Sequence, residues 1–109
     1  MEQEKRKSAA RRRVLFPGLI VYGEGAYTSD CLFRSLSSSG ARLVLNQHLQ
    51  LPEQFYLINI REGVAYTARL VWNRGGEMGV KYTSAIPLSG KVKPSFHHLR
   101  KLWLAKTPH

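Results

Sequence analysis

Cysteine and acidic residues are scarce in this chain. A single cysteine, Cys31, among 109 residues excludes an intramolecular disulfide and a cysteine-rich zinc cluster. Between Asp30 and Leu32 in an apolar-alternating stretch, its thiol reads as buried and inert. Asp30 is also the only aspartate, so paired carboxylates for acid–base chemistry would have to come from it and scattered glutamates. The histidines are His48, His97, His98 and His109. On a helix, His97 and His98 would point about 100° apart, and no His/Cys/carboxylate group has metal-ligand spacing. No glycine-rich loop ends in Gly-Lys-Ser/Thr. Neither catalysis, a metal nor a cofactor is therefore expected. Long apolar runs are also missing. The most apolar window, Val14 to Tyr22, is broken by Pro17-Gly18 and falls far short of the roughly 20 residues of a membrane span. Met1 to Arg13 lacks the form of a signal peptide, which with the cysteine count points to the cytoplasm.

Positive charge is abundant, +10 net, and unevenly placed. Residues 1–13 carry six basic and two acidic residues, residues 91–109 carry five basic and none acidic, and the middle is nearly balanced. Basic ends on a near-neutral body suggest an anionic partner held by the ends. Residues 1–13 read as a flexible basic arm, 14–84 as a β-barrel, and 85–109 as a linker followed by an amphipathic helix.

The body is punctuated like an all-β domain. Strands are expected at Leu19–Tyr22, Tyr27–Leu36, Ala41–Leu45, Phe55–Ile60, Val64–Trp72 and Met78–Thr83, separated by Gly-, Ser- and Asn-rich turns. In the fifth, Val64, Tyr66, Ala68, Leu70 and Trp72 are expected on one face. Short connections imply antiparallel hairpins, and closure into a six-stranded antiparallel β-barrel removes exposed edges. Pro87, Gly90 and Pro94 mark the linker. Ser95 is placed to cap a helix whose stripe of Phe96, Leu99, Leu102 and Trp103 needs cover, from the barrel or a second chain. Oligomeric state stays open.

Two segments carry binding chemistry. Lys5-Arg6-Lys7 and Arg11-Arg12-Arg13 precede the first strand, and guanidinium forks match phosphate oxygens and the O6/N7 edge of guanine. Ser35-Leu36-Ser37-Ser38-Ser39-Gly40 places hydroxyls at alternate positions of a strand end, before a glycine expected to take positive φ or to admit a ligand to the backbone.

Together with the Leu-Val-Trp and Gly-Val-Lys-Tyr strands, these segments resemble a PilZ domain over about residues 5–83. The resemblance implies a six-stranded β-barrel with a C-terminal α-helix that binds the bacterial second messenger cyclic di-GMP. The family's ligand motifs are Arg-x-x-x-Arg in the arm and Asp/Asn-x-Ser-x-x-Gly on the strands. Here Lys7 and Arg11 have the arm spacing, with Lys in the first place. Ser37 and Gly40 match the strand motif, and Ser35 replaces its acid or amide. The implied ligand set is Lys7, Arg11, Ser35, Ser37 and Gly40, with Arg6 and Arg12 as compensating contacts. Lys7 gives a point charge where a fork is usual, and Ser35 a single short hydroxyl where a carboxylate accepts from guanine.

Three functions follow in order. The first is a cyclic di-GMP effector whose arm orders over the barrel and signals to an unidentified protein partner. The second is a degenerate domain that binds protein without nucleotide. The third, least favoured, is a nucleic-acid binder, which would show steep salt dependence.

Overall fold

The computed structural model describes residues 12–107. Its strands are β1 (Arg12–Tyr22), β2 (Tyr27–Leu36), β3 (Gly40–Val44), β4 (Gln54–Asn59), β5 (Val64–Arg74) and β6 (Glu77–Pro87). They close into an antiparallel barrel in the order β1-β2-β3-β6-β5-β4. A 3₁₀ turn (Pro94–Phe96) leads into helix α1 (His97–Lys106). No helix is long and apolar enough to cross a membrane among the described residues.

Strand alternation builds two cores, one on each side of the same wall. Ile20, Phe33, Leu43, Leu57 and Met78 point into the barrel and fill it with Phe16, Phe55 and Val80. Leu19, Val21, Ile58 and Ala65 point outward from β1, β4 and β5 and, with Ile60 just past β4, meet α1 and Leu88. This explains why β4 is apolar at successive positions: Leu57 and Ile58 are both fully buried, on opposite faces.

The helical stripe is covered in cis. Leu99 is fully buried, and Phe96, Leu102 and Trp103 pack around it. Full burial of a leucine contributes about 1.5–3 kcal/mol. The indole N–H of Trp103 donates to the Ile60 carbonyl at 2.8 Å, and its ring lies against Gly63, where a side chain would collide. Lys106 pairs with Asp30 of β2 at 3.0 Å.

The elements depart from the sequence pattern in four places. β1 begins at Arg12, so Arg12 and Arg13, grouped with the arm in the sequence, have strand backbone in register with Leu36 and Ser35. β6 continues to Pro87, into the stretch read as linker, because β5 pairs with it as far as Val64. Ser95 does not cap α1: it lies in the 3₁₀ turn, Phe96 occupies the N-cap position, and no side chain bonds there. The expected face of β5 breaks only at its end: Val71 is an extra residue between the pairs Leu70–Val80 and Trp72–Gly79, which moves Trp72 to the other side, whereas the irregularity at Thr67/Ala68 inserts Thr83 into β6 and leaves β5 alternation intact. Ala65 and Ala68, three residues apart, face opposite sides of the strand and are buried in different cores.

Candidate functional site

Among the described residues, the wall formed by β2, β3, β6 and the far half of β5 carries no helix. Its geometry starts from a bulge. β2 and β3 pair Phe33 with Leu43, but the next pair is Ser35 with Arg42, leaving Arg34 extra. The following pair, Leu36 and Ala41, turns toward the barrel core. Ser35 and Arg42 therefore take the outward pleat. The register continues in both directions: Arg13 lies opposite Ser35, Gly79 opposite Arg42, and Trp72 opposite Gly79. With strands about 4.8 Å apart, this row runs roughly 19 Å around the barrel surface.

Polar groups in the row are unsatisfied. Ser35 is 3% exposed, yet its hydroxyl has no hydrogen-bond partner among the described residues. The Arg42 Nε is likewise buried without a hydrogen bond, and the Glu77 carboxylate, 3.8 Å away, is too far to supply one. A buried polar group left unpaired costs about 1–3 kcal/mol, so such groups ask for an occupant or for water.

Beside Ser35 the chain turns tightly. The Ser37 amide donates to the Gly40 carbonyl at 2.9 Å, the Ser39 amide donates to the Ser37 hydroxyl at 3.2 Å, and the Ser37 and Ser39 hydroxyls lie 3.2 Å apart. Both hydroxyls thus stand at the turn's surface with hydrogen-bonding capacity left over. Gly40 does not take the left-handed backbone expected of it, and the strand crossing supplies a reason of its own for a glycine there. Its φ is not positive. It crosses the Val80 carbonyl of β6 so closely that a Cβ would collide with that oxygen. Lys81 is its cross-strand neighbour and is exposed.

At the other end of the row an aromatic platform appears. Gly79 has no side chain, and the Trp72 ring lies across it; a Cβ there would overlap the indole. The Arg74 guanidinium sits 5.7 Å from the Trp72 ring centroid, in cation–π range. Trp72, Arg74, Arg42, Gly75 and Glu77 line an open cleft of about 480 Å³, in which two guanidinium groups outnumber one carboxylate. Planar, electron-rich, cationic at its rim: such a surface suits a purine ring next to a phosphate.

Next to the turn, Tyr82 and Tyr66 stack at 3.9 Å and 8°. Burial, followed by the neighbouring Tyr66, raises the Tyr82 phenol above its ordinary pKa. Cys31 behaves as expected of a core thiol: it is buried, and desolvation, aided by Asp30, pushes it up to about 12.

Of the residues singled out in the sequence, Ser35, Ser37 and Gly40 come together on this wall. Arg12 is at the start of β1, with its backbone opposite Leu36. Arg6, Lys7 and Arg11 lie outside the described residues. Sequence reasoning missed Arg42, Trp72 and Arg74. Arg42 lies on the strand expected at Ala41–Leu45, but only the barrel register places it in one row with Ser35 and Gly79. Simple alternation puts Trp72 on the face of Ala68 and Leu70, because the bulge at Val71 leaves no mark in the sequence.

Comparison with known proteins gives consistent results. The PilZ domain family model matches residues 4–91. The barrel is similar to the crystal structure of the PilZ domain of CeSA from a cellulose synthesizing bacterium, with a TM-score of 0.53 and 15% identity over 88% of this chain and 97% of that one. At that identity the likeness concerns the fold. No curated protein sequence matches. The family match takes in every strand of the barrel and most of the chain: the protein belongs to the PilZ domain family.

Proposed function

We propose that this protein is a cytoplasmic cyclic di-GMP effector that binds the dinucleotide on the helix-free wall and closes its basic arm over it. PilZ domains are binding and regulatory modules, generally cyclic di-GMP effectors, and the wall offers chemistry for both halves of the ligand. The carrying observation is the buried, unpartnered Ser35 hydroxyl, set in register between Arg13 and Arg42. In this reading Ser35 and Ser37 bond the guanine edge, and Gly40 keeps the turn close to β6. Arg11 takes the second place of the arm motif and forks a guanine edge or phosphate, and Lys7 adds a point charge. Arg6 and Arg12 reinforce the arm. Trp72 stacks a purine, and Arg42 and Arg74 face phosphate oxygens. Ordering the arm alters the surface that an unidentified protein partner meets.

The test is calorimetric titration of the full chain with cyclic di-GMP, with GTP as control. Saturable binding at micromolar to sub-millimolar ligand that weakens in Arg11→Ala supports the reading. No heat of binding in that range overturns it.

A second reading rests on the same motifs. Lys7 and Ser35 each replace a stronger ligand group, which fits a barrel that recognises protein without nucleotide. Capture of one defined protein by the nucleotide-free domain, unchanged on adding cyclic di-GMP, would favour this reading over the first.

A further inference from the structure

The end of β6 forms a second surface, which shares no residue with the row of Ser35, Arg42, Gly79 and Trp72 or with the cleft beside Trp72. β6 pairs with β5 along its length, to Pro87 opposite Val64. With β3 it pairs only to Lys81 opposite Gly40, and a last bond runs from the Tyr82 amide to the Ser39 carbonyl at 2.8 Å. From Thr83 to Pro87, the second edge of β6 has no strand beside it among the described residues. A groove of about 420 Å³ opens there between Ser84–Pro87 and the linker residues Lys91, Val92 and Lys93.

The groove has a defined chemistry. Ile86, Val92 and Phe96 are half-buried and form an apolar floor. Lys91 and Lys93 are exposed at the rim, and no acidic residue lines it. The linker is held from behind. Arg100 donates to the Gly90 carbonyl at 2.6 Å, and the His97 ring bonds the Val92 carbonyl at 2.9 Å. The groove is thus preformed.

Each feature selects the occupant. A strand edge recognises the backbone of an extended peptide, an apolar floor takes alternate side chains, and a lysine rim attracts carboxylates. The chain's own N-terminal segment has the wrong sign: Lys5, Arg6, Lys7 and Arg11 outnumber Glu2 and Glu4. We propose that this groove docks an extended peptide of alternating apolar and acidic residues from a partner protein, added as a strand along Thr83–Pro87. Pro87 lacks an amide hydrogen and ends the edge, which keeps the added strand short.

The test uses the full chain without nucleotide and three fluorescein-labelled hexapeptides: alternating Val-Glu, alternating Val-Lys, and all Glu. Anisotropy reads affinity, and backbone amide NMR shifts read location. The expected result is saturable binding of the Val-Glu peptide alone, with shifts at Thr83–Ile86 and Lys91–Lys93. Lys91→Glu with Lys93→Glu should weaken it about fivefold or more at low salt, the scale of two exposed ion pairs. Lys91→Gln with Lys93→Gln should fall between. Both residues are exposed, and unchanged circular dichroism verifies folding. Equal binding of the all-Glu peptide, shifts elsewhere on the barrel, an unaltered affinity in the charge variants, or no binding up to millimolar peptide would each overturn the proposal.

Discussion

Two walls of one barrel contrast in how their polar and apolar groups are satisfied. The wall of β1, β4 and β5 is covered: α1 buries Leu99, Trp103 closes a hydrogen bond to Ile60, and the outward residues Leu19, Val21 and Ile58 are at most 1% exposed. The wall of β2, β3 and β6 carries no helix among the described residues, and its strands hold all three buried side-chain atoms without partners there, on Ser35, Arg42 and Tyr82. Both walls obey the same strand geometry. The difference separates a wall whose burial serves stability from one that keeps polar side-chain atoms buried without partners, and the proposed function assigns Ser35 and Arg42 of the second to a ligand.

That contrast is open to attack, beginning with the covered wall. Leu99→Ala should lower unfolding free energy by about 2–5 kcal/mol, read by urea denaturation, because a fully buried leucine leaves a cavity between helix and barrel. Cyclic di-GMP affinity of the folded variant should change little. A variant that loses nucleotide binding while keeping its stability would erase the division between the walls.

Trp72→Ala should do the opposite. Loss of one stacked base weakens binding by about 1–3 kcal/mol, fivefold to more than a hundredfold, read by calorimetry. The urea midpoint should move far less than in Leu99→Ala.

Alkali probes the barrel interior that both walls share. Cys31 is pushed from 9.0 to about 12 by burial and then by Asp30. The unfolded chain releases this proton first, so the stability linked to it is complete below about pH 9 and declines as pH rises toward 12. Tyr82 and Tyr66, also raised mainly by burial, act in the same direction. Cys31→Ala should make the decline shallower in pH-dependent denaturation. The smallest effect belongs to the exposed pair of Lys106 and Asp30: Asp30→Asn should cost no more than about 1 kcal/mol and less in high salt.

Much of this fold was legible because alternation and turn chemistry agree along most strands. Tyr27–Leu36 is β2 to the residue, and the stripe from Phe96 to Trp103 packs as its spacing requires. The misreadings have physical causes. A bulge at Val71 of β5 shifts the inward side, which hid Trp72 among core positions. Strand pairing extended β1 back to Arg12 and β6 on to Pro87, overriding local polarity and proline content. For the site, Ser35, Ser37 and Gly40 were legible as a contiguous motif. Arg42, Gly79 and Trp72 were not, because only the barrel register aligns three strands into one row. The need for glycine at position 40 was visible, but its cause, the Val80 carbonyl, belongs to a distant strand.

The most direct test is a calorimetric titration of cyclic di-GMP into the wild type and Ser35→Asp, with GTP in parallel. Asp at this position restores the carboxylate of the family motif beside Arg13 and Arg42. The account predicts saturable wild-type binding, no comparable heat from GTP, and affinity about tenfold higher in Ser35→Asp, the scale of one improved base contact. Absence of cyclic di-GMP binding in both proteins at sub-millimolar ligand would contradict it.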